Sequence, residues 1–432
     1  MADSYVILGD GIAGSSAAES LREEAPEADI TVVTDEGEPL YNRILIKEFS
    51  KGKLPEAPIS IHSPDWYDER DIDLQLNTLV TEVDVENNTL HTHEGEEMGY
   101  DKLLIATGGT PNHMGRFGVE NADADGIHHF WTFQDARAIR ETAEDADTGV
   151  IVGAGLLGID LAAICGAQDI DAKYLMRGDR WWRYALSAEG AEIMHQAMRD
   201  VGVEPVFDAG TDHFEVDDDG HVEAAVTPEG ERYPADFAGV AIGLDFNVEF
   251  LQGTGIECDT SDGIVVDEYM FTGVPDIYAA GDITAFHDTI TDERQQNGSW
   301  GSAKQQGDLA GRQMAADADP AEGGRSDGED DRGEPFRWVS SYSITHFDFP
   351  FLSFGFPTIG DDEAERKYSE NEWRRLAFKD GKIVGGVLIG DLAPQSKYKK
   401  LMQEEVECAD QKELLLEEGF DVEDVMAAAG AQ

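Results

Sequence analysis

The chain has 432 residues and carries 90 Asp and Glu against 32 Lys and Arg, a net charge of −58. A surface this acidic does not bind nucleic acid by neutralising phosphates, and anionic membrane surfaces repel it. With 41% hydrophobic residues at that charge, composition alone does not separate a folded protein from a disordered one. In chain order the elements decide for a fold. Tyr5 to Leu8 is a short apolar run closed by Gly9, and a helical stretch follows over Ile12 to Glu24. Ile30 to Val33 is a second apolar, β-branched run, so the segment reads as a βαβ unit. Thr78 to Val85 and Thr89 to His93 read as a hairpin, and Leu103 to Thr107 is a buried run ending in glycines. A helix is expected over Phe133 to Glu144.

A second βαβ unit opens at Val150 to Val152, turns through three glycines and runs into a helix ending near Gly166. Lys173 to Met176 is its next strand, and the helix Ala188 to Val201 follows. Residues 264–280 read as two strands closing on Gly281, and a helix runs from Ser302 to Ala316. Residues 317–335 are acidic, rich in Gly and Pro and free of large apolar side chains, which marks an exposed linker. Beyond it, Trp373 to Phe378 and Lys382 to Ile389 flank the turn Lys379-Asp380-Gly381, a hairpin signal, and a helical tail closes the chain. The expected fold class is α/β. It comprises two domains built on the βαβ units and a small C-terminal α+β domain; the glycine motifs and the family resemblance that follow imply that the two are Rossmann-like dinucleotide-binding domains of three-layer ββα type. The boundaries read as 1–112 and 251–316 for the first domain, 113–250 for a linker and the second, 317–335 for the flexible linker and 336–432 for the C-terminal domain.

With 7 Trp, 12 Tyr and 19 Phe distributed along the chain, the charge reads as the solvated shell of a folded protein. Such a shell repels itself at low ionic strength and is screened at molar salt. This points to an extreme halophile with a salty cytoplasm. No basic n-region marks a signal peptide, so the expected location is a high-salt cytoplasm with no membrane association. Cys165, Cys258 and Cys408 make no CxxC pair, which argues against a local redox disulfide.

The chemistry lies in the glycines. GxGxxG occurs at Gly9, Gly11 and Gly14 and again at Gly153, Gly155 and Gly158, each time between a strand and a helix. The first glycine makes the tight turn, the second admits a pyrophosphate to the backbone and the third lets helix and strand approach. The helix N-terminus then holds the phosphates. One such motif in a chain with 46 Gly is weak, whereas two in this setting leave a pair of generic Gly-rich turns as a minor alternative. Asp35 follows the first strand–helix–strand unit, where a carboxylate accepts hydrogen bonds from ribose hydroxyls. The second unit instead carries Met176, then Arg177, Arg180 and Arg183. Arginines suit a 2′-phosphate by charge and by bidentate geometry. The expected ligands are an adenosine dinucleotide with a free ribose, such as FAD, in the first unit and NADPH rather than NADH in the second; pairing with surface acids is the competing reading for the arginines.

GDGIAG at 9–14, IATGG at 105–109, GAGLLG at 153–158 and IYAAGD at 277–282 occur in that order. The set resembles the pyridine nucleotide–disulfide oxidoreductase superfamily of flavoprotein reductases. EPLYNRILIKE at 38–48 is similar to the rubredoxin and ferredoxin reductases and to the FAD-containing part of NAD(P)H nitrite reductases. The resemblance implies that Gly9, Gly11 and Gly14 hold the FAD pyrophosphate and Asp35 its ribose. It places Arg43 and Lys47 at the FAD, with Lys47 near the flavin ring, and lets Val80 offer its backbone to the adenine. Ala106, Thr107 and Gly108 would close over the cofactor, Asp282 would bond the ribityl chain and Trp300 would stack near the ring. Gly153, Gly155, Gly158 and Gly243 would line the NAD(P)H site. Asp160 sits where the family usually carries Glu beside the nicotinamide. The redox cysteines of many relatives are missing from YNRILIKEF, so electrons would pass from NAD(P)H to flavin N5 and on to an external acceptor without a thiol relay. A ferredoxin or rubredoxin-like protein or a small molecule fits that acceptor. Near Gly243 the family often has a basic residue and Pro before Asn, and Gly243-Leu244-Asp245-Phe246-Asn247 departs from that. Rival readings are a quinone reductase of the type II NADH dehydrogenase kind, which the acidic tail disfavours, and a slow flavin redox sensor.

Several features carry a plainer reading as well. His91 and His93 alternate on a strand but lack further metal ligands, and so read as solvent-facing. Lys397, Lys399 and Lys400 suit either an acidic electron carrier or an ordinary helix surface. Trp181 and Trp182 suit either adenine or core packing. Leu414 to Leu416 with Phe420, Val422 and Val425 form an apolar stripe for packing or for a homodimer contact.

Overall fold

The computed structural model describes residues 3–316, 333–345, 347 and 349–430. The expected linker at 317–335 lies, as far as residue 332, outside the described residues. The chain divides into two compact units. The first comprises Met1–Asn42, Ala57–Thr110 and Leu244–Ser340, and the second Arg43–Glu56, Pro111–Gly243 and Ser341–Gln432.

The first unit is built on a five-stranded parallel sheet in the order Ile277–Ala279, Lys102–Ile105, Ser4–Leu8, Asp29–Val33, Ile72–Gln75. Tyr5 stands opposite both Ile30 and Lys102 in register. Layers cover both faces, which is why the central strands are continuous apolar runs rather than alternating ones. Val6, Ile7, Leu103, Leu104 and Ile105 are fully buried. One layer is the expected hairpin, Val80–Asp84 paired with Thr89–Thr92 and extended by Glu97–Gly99. The other contains the helices Ile12–Glu24 and Trp300–Ala315. They approach closely because a Cβ on Gly307 would stand 2.1 Å from the Ala13 carbonyl oxygen.

The two strands expected within 264–280 form, but in different sheets. Gly263–Val266 pairs with Thr284–Asp288, whereas Ile277–Ala279 edges the parallel sheet. Between them Asp267 accepts hydrogen bonds from the Tyr269 and Phe271 amides, and this turn redirects the chain. That side chain–backbone turn competes with a continued ladder.

The second unit repeats the plan with Val203–Val206, Asp171–Leu175, Thr148–Val152, Phe237–Val240 and Ile127–His129, all parallel. The helix Phe133–Asp145 starts at a capping box in which Thr132 and Asp135 satisfy each other's amides. An antiparallel layer, His213–Val216, Val222–Val226 and Arg232–Pro234, lies over the sheet. The same unit holds a five-stranded antiparallel sheet in the order Ser341–Ile344, Phe351–Gly355, Lys382–Ile389, Glu372–Lys379, Asp362–Ser369. Its turn at Asp380 and Gly381 has φ of +48° and +81°, the mirror-image turn that matches strand twist. The helix Gln395–Gln403 packs on this sheet, with Tyr398 stacked on Phe354 and Phe420.

Candidate functional site: two dinucleotide cradles

In the first unit the strand order reverses between Ser4–Leu8 and Lys102–Ile105, and ligands of open parallel sheets bind at such a point. Gly9 follows the first strand and Ala106 the second. Gly9 has φ +102°, and a Cβ on it would stand 2.3 Å from the Ala106 carbonyl oxygen. Gly14 is equally constrained, because its Cβ would meet the Gly9 carbonyl oxygen at 1.9 Å. Gly11 differs. It caps the helix Ile12–Glu24 without a side-chain hydrogen bond, and a Cβ there meets nothing within 4 Å. The space over the first-turn amides is therefore open, as a pyrophosphate requires. The residues present fit the diphosphate of FAD.

The flanking residues fall in the same unit. Asp35 is exposed just beyond the strand Asp29–Val33, Val80 is the buried first residue of its strand and Asp282 is half-buried after Ile277–Ala279. Trp300 opens its helix, partly exposed. Thr107 and Gly108 are pinned by Asn247, whose side-chain amide donates to the Thr107 carbonyl at 3.0 Å and whose N–H donates to that of Gly108 at 3.1 Å. Asn247 thus fixes the crossover despite the unusual residues before it.

Sequence reasoning passed over Asp10, between the first two glycines. It is buried, its carboxylate accepts the Leu40 N–H at 2.9 Å and the Tyr67 hydroxyl at 2.8 Å, and burial pushes its pKa up to about 7. Beside it Ser15 pairs with His62, which stacks on Trp66. The signal was the Asp inside GDGIAG, but its partners lie too far along the chain to be read from spacing.

The second unit reproduces the first cradle. Gly153 has φ +115°, and its Cβ would stand 2.0 Å from the Ala241 carbonyl oxygen on the neighbouring strand. Gly155 caps its helix with nothing within 4 Å of a Cβ, and at Gly158 a Cβ would meet the Tyr174 hydroxyl at 2.0 Å. Gly243 has φ +106° and accepts the Asn112 N–H. Past the strand Asp171–Leu175, Arg177 and Arg183 are both exposed. Arg183 bonds the Tyr184 hydroxyl at 2.8 Å and lies over its ring. Arg180 is engaged by Asp179 and the Leu186 carbonyl. Trp181 is fully buried against Phe351 and donates to the Gly155 carbonyl, so it supports the cradle from the core.

Lys47 and Asp160 also fall in the second unit. Lys47 lies on the short helix Ile46–Ser50, fixed by Phe49 edge-on to Phe133 and by the Ser50 hydroxyl donating to Ala136. Its ammonium is 3.6 Å from Asp160 Oδ1. Asp160, one turn into the helix Leu156–Ala167, is only 5% exposed. Its Oδ2 accepts the Tyr342 hydroxyl at 3.0 Å, a partner the sequence did not suggest. Arg43 precedes this helix and donates to the Trp131 carbonyl.

Two of the features with alternative readings make contacts within the chain. Lys399 donates to Ser341 and Lys400 pairs with Glu423, so the lysine cluster is engaged within the chain. Leu415, Leu416, Phe420, Val422 and Val425 are buried within the chain. Cys165 and Cys408 are buried with thiols pushed up to about 12, and Cys258 is raised by partial burial. Among the described residues no helix is long and apolar enough to cross a membrane.

Two parallel sheets, each presenting a glycine turn and an uncapped helix at its reversal point, define an oxidoreductase that binds two dinucleotides. The family model for pyridine nucleotide-disulphide oxidoreductases matches residues 3–307, and that for the rubredoxin NAD+ reductase C-terminal domain matches 345–406. The chain belongs to the pyridine nucleotide-disulphide oxidoreductase family; it is an NAD(P)H oxidoreductase that uses FAD. It is 32% identical over 287 residues to the ferredoxin–NAD(+) reductase component of the biphenyl dioxygenase system of Paraburkholderia xenovorans, covering 66% of this chain and 68% of that one. It is 26% identical to the nitrite reductase [NAD(P)H] of Bacillus subtilis over 94% of this chain, and spans 48% of that longer protein. The fold matches putidaredoxin reductase in its covalent complex with putidaredoxin, with a TM-score of 0.87 at 23% identity, covering 100% of this chain and 99% of that one.

Proposed function

We propose that this flavin-dependent NAD(P)H oxidoreductase passes electrons to a small ferredoxin- or rubredoxin-like protein, or to a small-molecule acceptor, without a protein thiol on the way. The observation that carries this reading is the pairing of two cradles of one design with three cysteines that are buried or raised in pKa. A thiol relay needs an accessible thiolate.

In this reading residues 1–112 and 251–316 bind FAD, 113–250 bind NAD(P)H and 336–432 form the C-terminal domain. The amides after Gly11 hold the FAD pyrophosphate and Asp35 accepts hydrogen bonds from its ribose. Val80, Ala106, Thr107 and Gly108 line the adenine and pyrophosphate path, with Arg43 as a further cation. Asp282 orients the ribityl chain and Trp300 borders the ring. When bound, FAD supplies hydride acceptance from NAD(P)H and release of the electrons to the acceptor. Lys47 provides the positive charge that favours the electron-rich flavin, and Asp160 compensates that charge from the coenzyme side. The amides after Gly155 hold the coenzyme pyrophosphate, Gly243 lines its path, and Arg177 and Arg183 receive the 2′-phosphate of NADPH. Orientation is the protein's main contribution, worth up to roughly 7–11 kcal/mol in well-aligned cases. The setting is a cytoplasm of high salt, which screens a net charge of −58.

The test is the purified protein in molar KCl. It should show flavin absorption, and a ferredoxin, rubredoxin or dye should strongly accelerate its NADPH oxidation. A reduced protein indifferent to every acceptor would overturn the electron-transfer reading.

A further inference from the structure

The loop 177–187 follows the strand Asp171–Leu175, at the strand end where a dinucleotide's adenosine ribose is read. Two hydrogen bonds staple it to the glycine turn of the second cradle. The Trp182 N–H donates to the Ala154 carbonyl and the Trp181 indole to the Gly155 carbonyl, both at 3.2 Å. The inner side of the loop is packed: Trp181 and Trp182 lie against Phe351, and the Ala185 carbonyl accepts Arg375 at 3.0 Å. Trp182 has φ +46°, a left-handed conformation that bulky side chains rarely adopt. Strain of this kind persists where the surroundings enforce it, and it clusters at ligand sites. Directly after that bend come two exposed side chains, Arg183 and Tyr184. Tyr184 is 68% exposed. Arg183 lies over its ring at 4.9 Å and donates to its hydroxyl at 2.8 Å. Arg183 also folds back on Gly178, next in the chain to Arg177: a Cβ on Gly178 would stand 2.9 Å from Arg183 Cδ.

The adenine of a dinucleotide is bonded to the ribose read at this strand end, so an aromatic ring exposed here has a use. Every base has a flat π face, and stacking on an aromatic side chain holds it without reading its edges. Resting on the reading that this cradle binds NAD(P)H, we propose that Tyr184 is the platform on which the coenzyme's adenine stacks, on the ring face that Arg183 leaves open. Stacking is indifferent to the 2′-phosphate. Tyr184 thus supplies binding common to NADPH and NADH, whereas Arg177 and Arg183 supply the part that distinguishes them. The Tyr184 hydroxyl links the two parts, because it accepts one of the five N–H groups of Arg183.

The holoenzyme in molar KCl, titrated calorimetrically with AMP and with adenosine 2′,5′-bisphosphate, tests this without turnover. Tyr184→Ala should weaken both ligands by about tenfold. Tyr184→Phe keeps the ring and loses the hydroxyl, so AMP should bind within about twofold of wild type while the bisphosphate weakens by roughly three- to fivefold. In steady state, Tyr184→Ala should raise KM for NADPH and NADH alike and hold kcat, as loss of uniform binding does. A ring that only props Arg183 would weaken the bisphosphate alone in both variants, and that result would overturn the platform. Unchanged affinity for both ligands in Tyr184→Ala would overturn it as well; a lower mass by light scattering would then mark the ring as a contact between chains. Gly153→Ala separates this failure from a deeper one. If it weakens both ligands, the cradle reading stands and only the platform is lost; if it too leaves them unchanged, the reading beneath the proposal fails.

Discussion

The carbonyl oxygen of Ala106 occupies the space a side chain on Gly9 would need, at 2.3 Å from the position of its Cβ. The second unit repeats the relationship between Gly153 and the Ala241 carbonyl at 2.0 Å. In both, the strand beyond the reversal point seals the turn that opens the helix. Alanine at either position also meets a backbone conformation that costs L-residues about 1–2 kcal/mol by itself. Gly9→Ala should therefore yield protein depleted of FAD, whereas Gly153→Ala should keep the flavin and bind NADPH at least tenfold more weakly. Flavin absorbance per chain and a coenzyme titration check this. Equal flavin content in Gly9→Ala and wild type would sink the assignment of the first cradle.

Asp10 gives the first cradle a pH dependence. Its folded pKa is raised to about 7 by burial from the ordinary value of 3.8. The folded state therefore binds more protons than the unfolded chain between these values, so the contribution of Asp10 falls as pH rises from about 4 to about 7 and is flat above. At about 1.4 kcal/mol per pKa unit, ionising it inside the fold costs roughly 4–5 kcal/mol. Asp10→Asn should lack this term. The variant should be more stable than wild type at pH 8 by about 1–3 kcal/mol, less than the full term because one amide face mismatches Leu40 or Tyr67. At pH 5 the advantage should vanish. Denaturant unfolding of both proteins in molar KCl measures the difference, and a gap independent of pH would show that Asp10 is ionised throughout.

Much of this was legible in the sequence because it is local. The glycine turns, the helix Ile12–Glu24 and the Asp380–Gly381 hairpin depend on neighbours within a few residues, and all three formed as expected. Contacts between distant segments were not legible. Tyr67 on Asp10, Asn247 on Thr107 and Tyr342 on Asp160 each join residues with no common spacing rule. The turn at Asp267 was missed for a different reason: its capping bonds are local, but an apolar run on either side looks the same whether or not it continues one sheet.

The cysteines bear on the electron path. Cys165 is fully buried, and Cys165 and Cys408 have thiols pushed up to about 12, far from the thiolate form that reacts. Replacing all three cysteines with serine should cost some stability at the two buried sites but leave the turnover of folded protein within about twofold. Iodoacetamide should leave the native enzyme active. Inactivation that tracks alkylation of Cys258, the least buried of the three, would restore a thiol step.

The acidic shell predicts how the fold responds to salt. At 1 M salt the Debye length is about 3 Å, against about 10 Å at 0.1 M, so dilution exposes the mutual repulsion behind a net charge of −58. The unfolding temperature should rise by on the order of 10 °C or more between 0.2 and 3 M KCl. KCl and NaCl should act alike, since screening depends on ionic strength. A melting temperature that is flat across this range would remove the high-salt reading.

Arg177 and Arg183 separate the two coenzymes. Both are exposed beyond the strand Asp171–Leu175, where the adenosine ribose of a dinucleotide is read. Arg183 donates a 2.8 Å hydrogen bond to the Tyr184 hydroxyl and lies over its ring. An anionic 2′-phosphate gains charge-assisted bonds there that a free hydroxyl does not. Arg177→Ala and Arg183→Ala should each raise KM for NADPH by roughly tenfold, and the double variant by up to about a hundredfold. KM for NADH should move less than twofold, and kcat with either coenzyme should hold, because these contacts are equal in ground and transition states. The wild-type preference should also shrink as KCl rises, in proportion to the charge it uses. A double variant whose KM rises equally for both coenzymes would mean that the arginines support the loop alone, and the choice between NADPH and NADH would then rest on other residues.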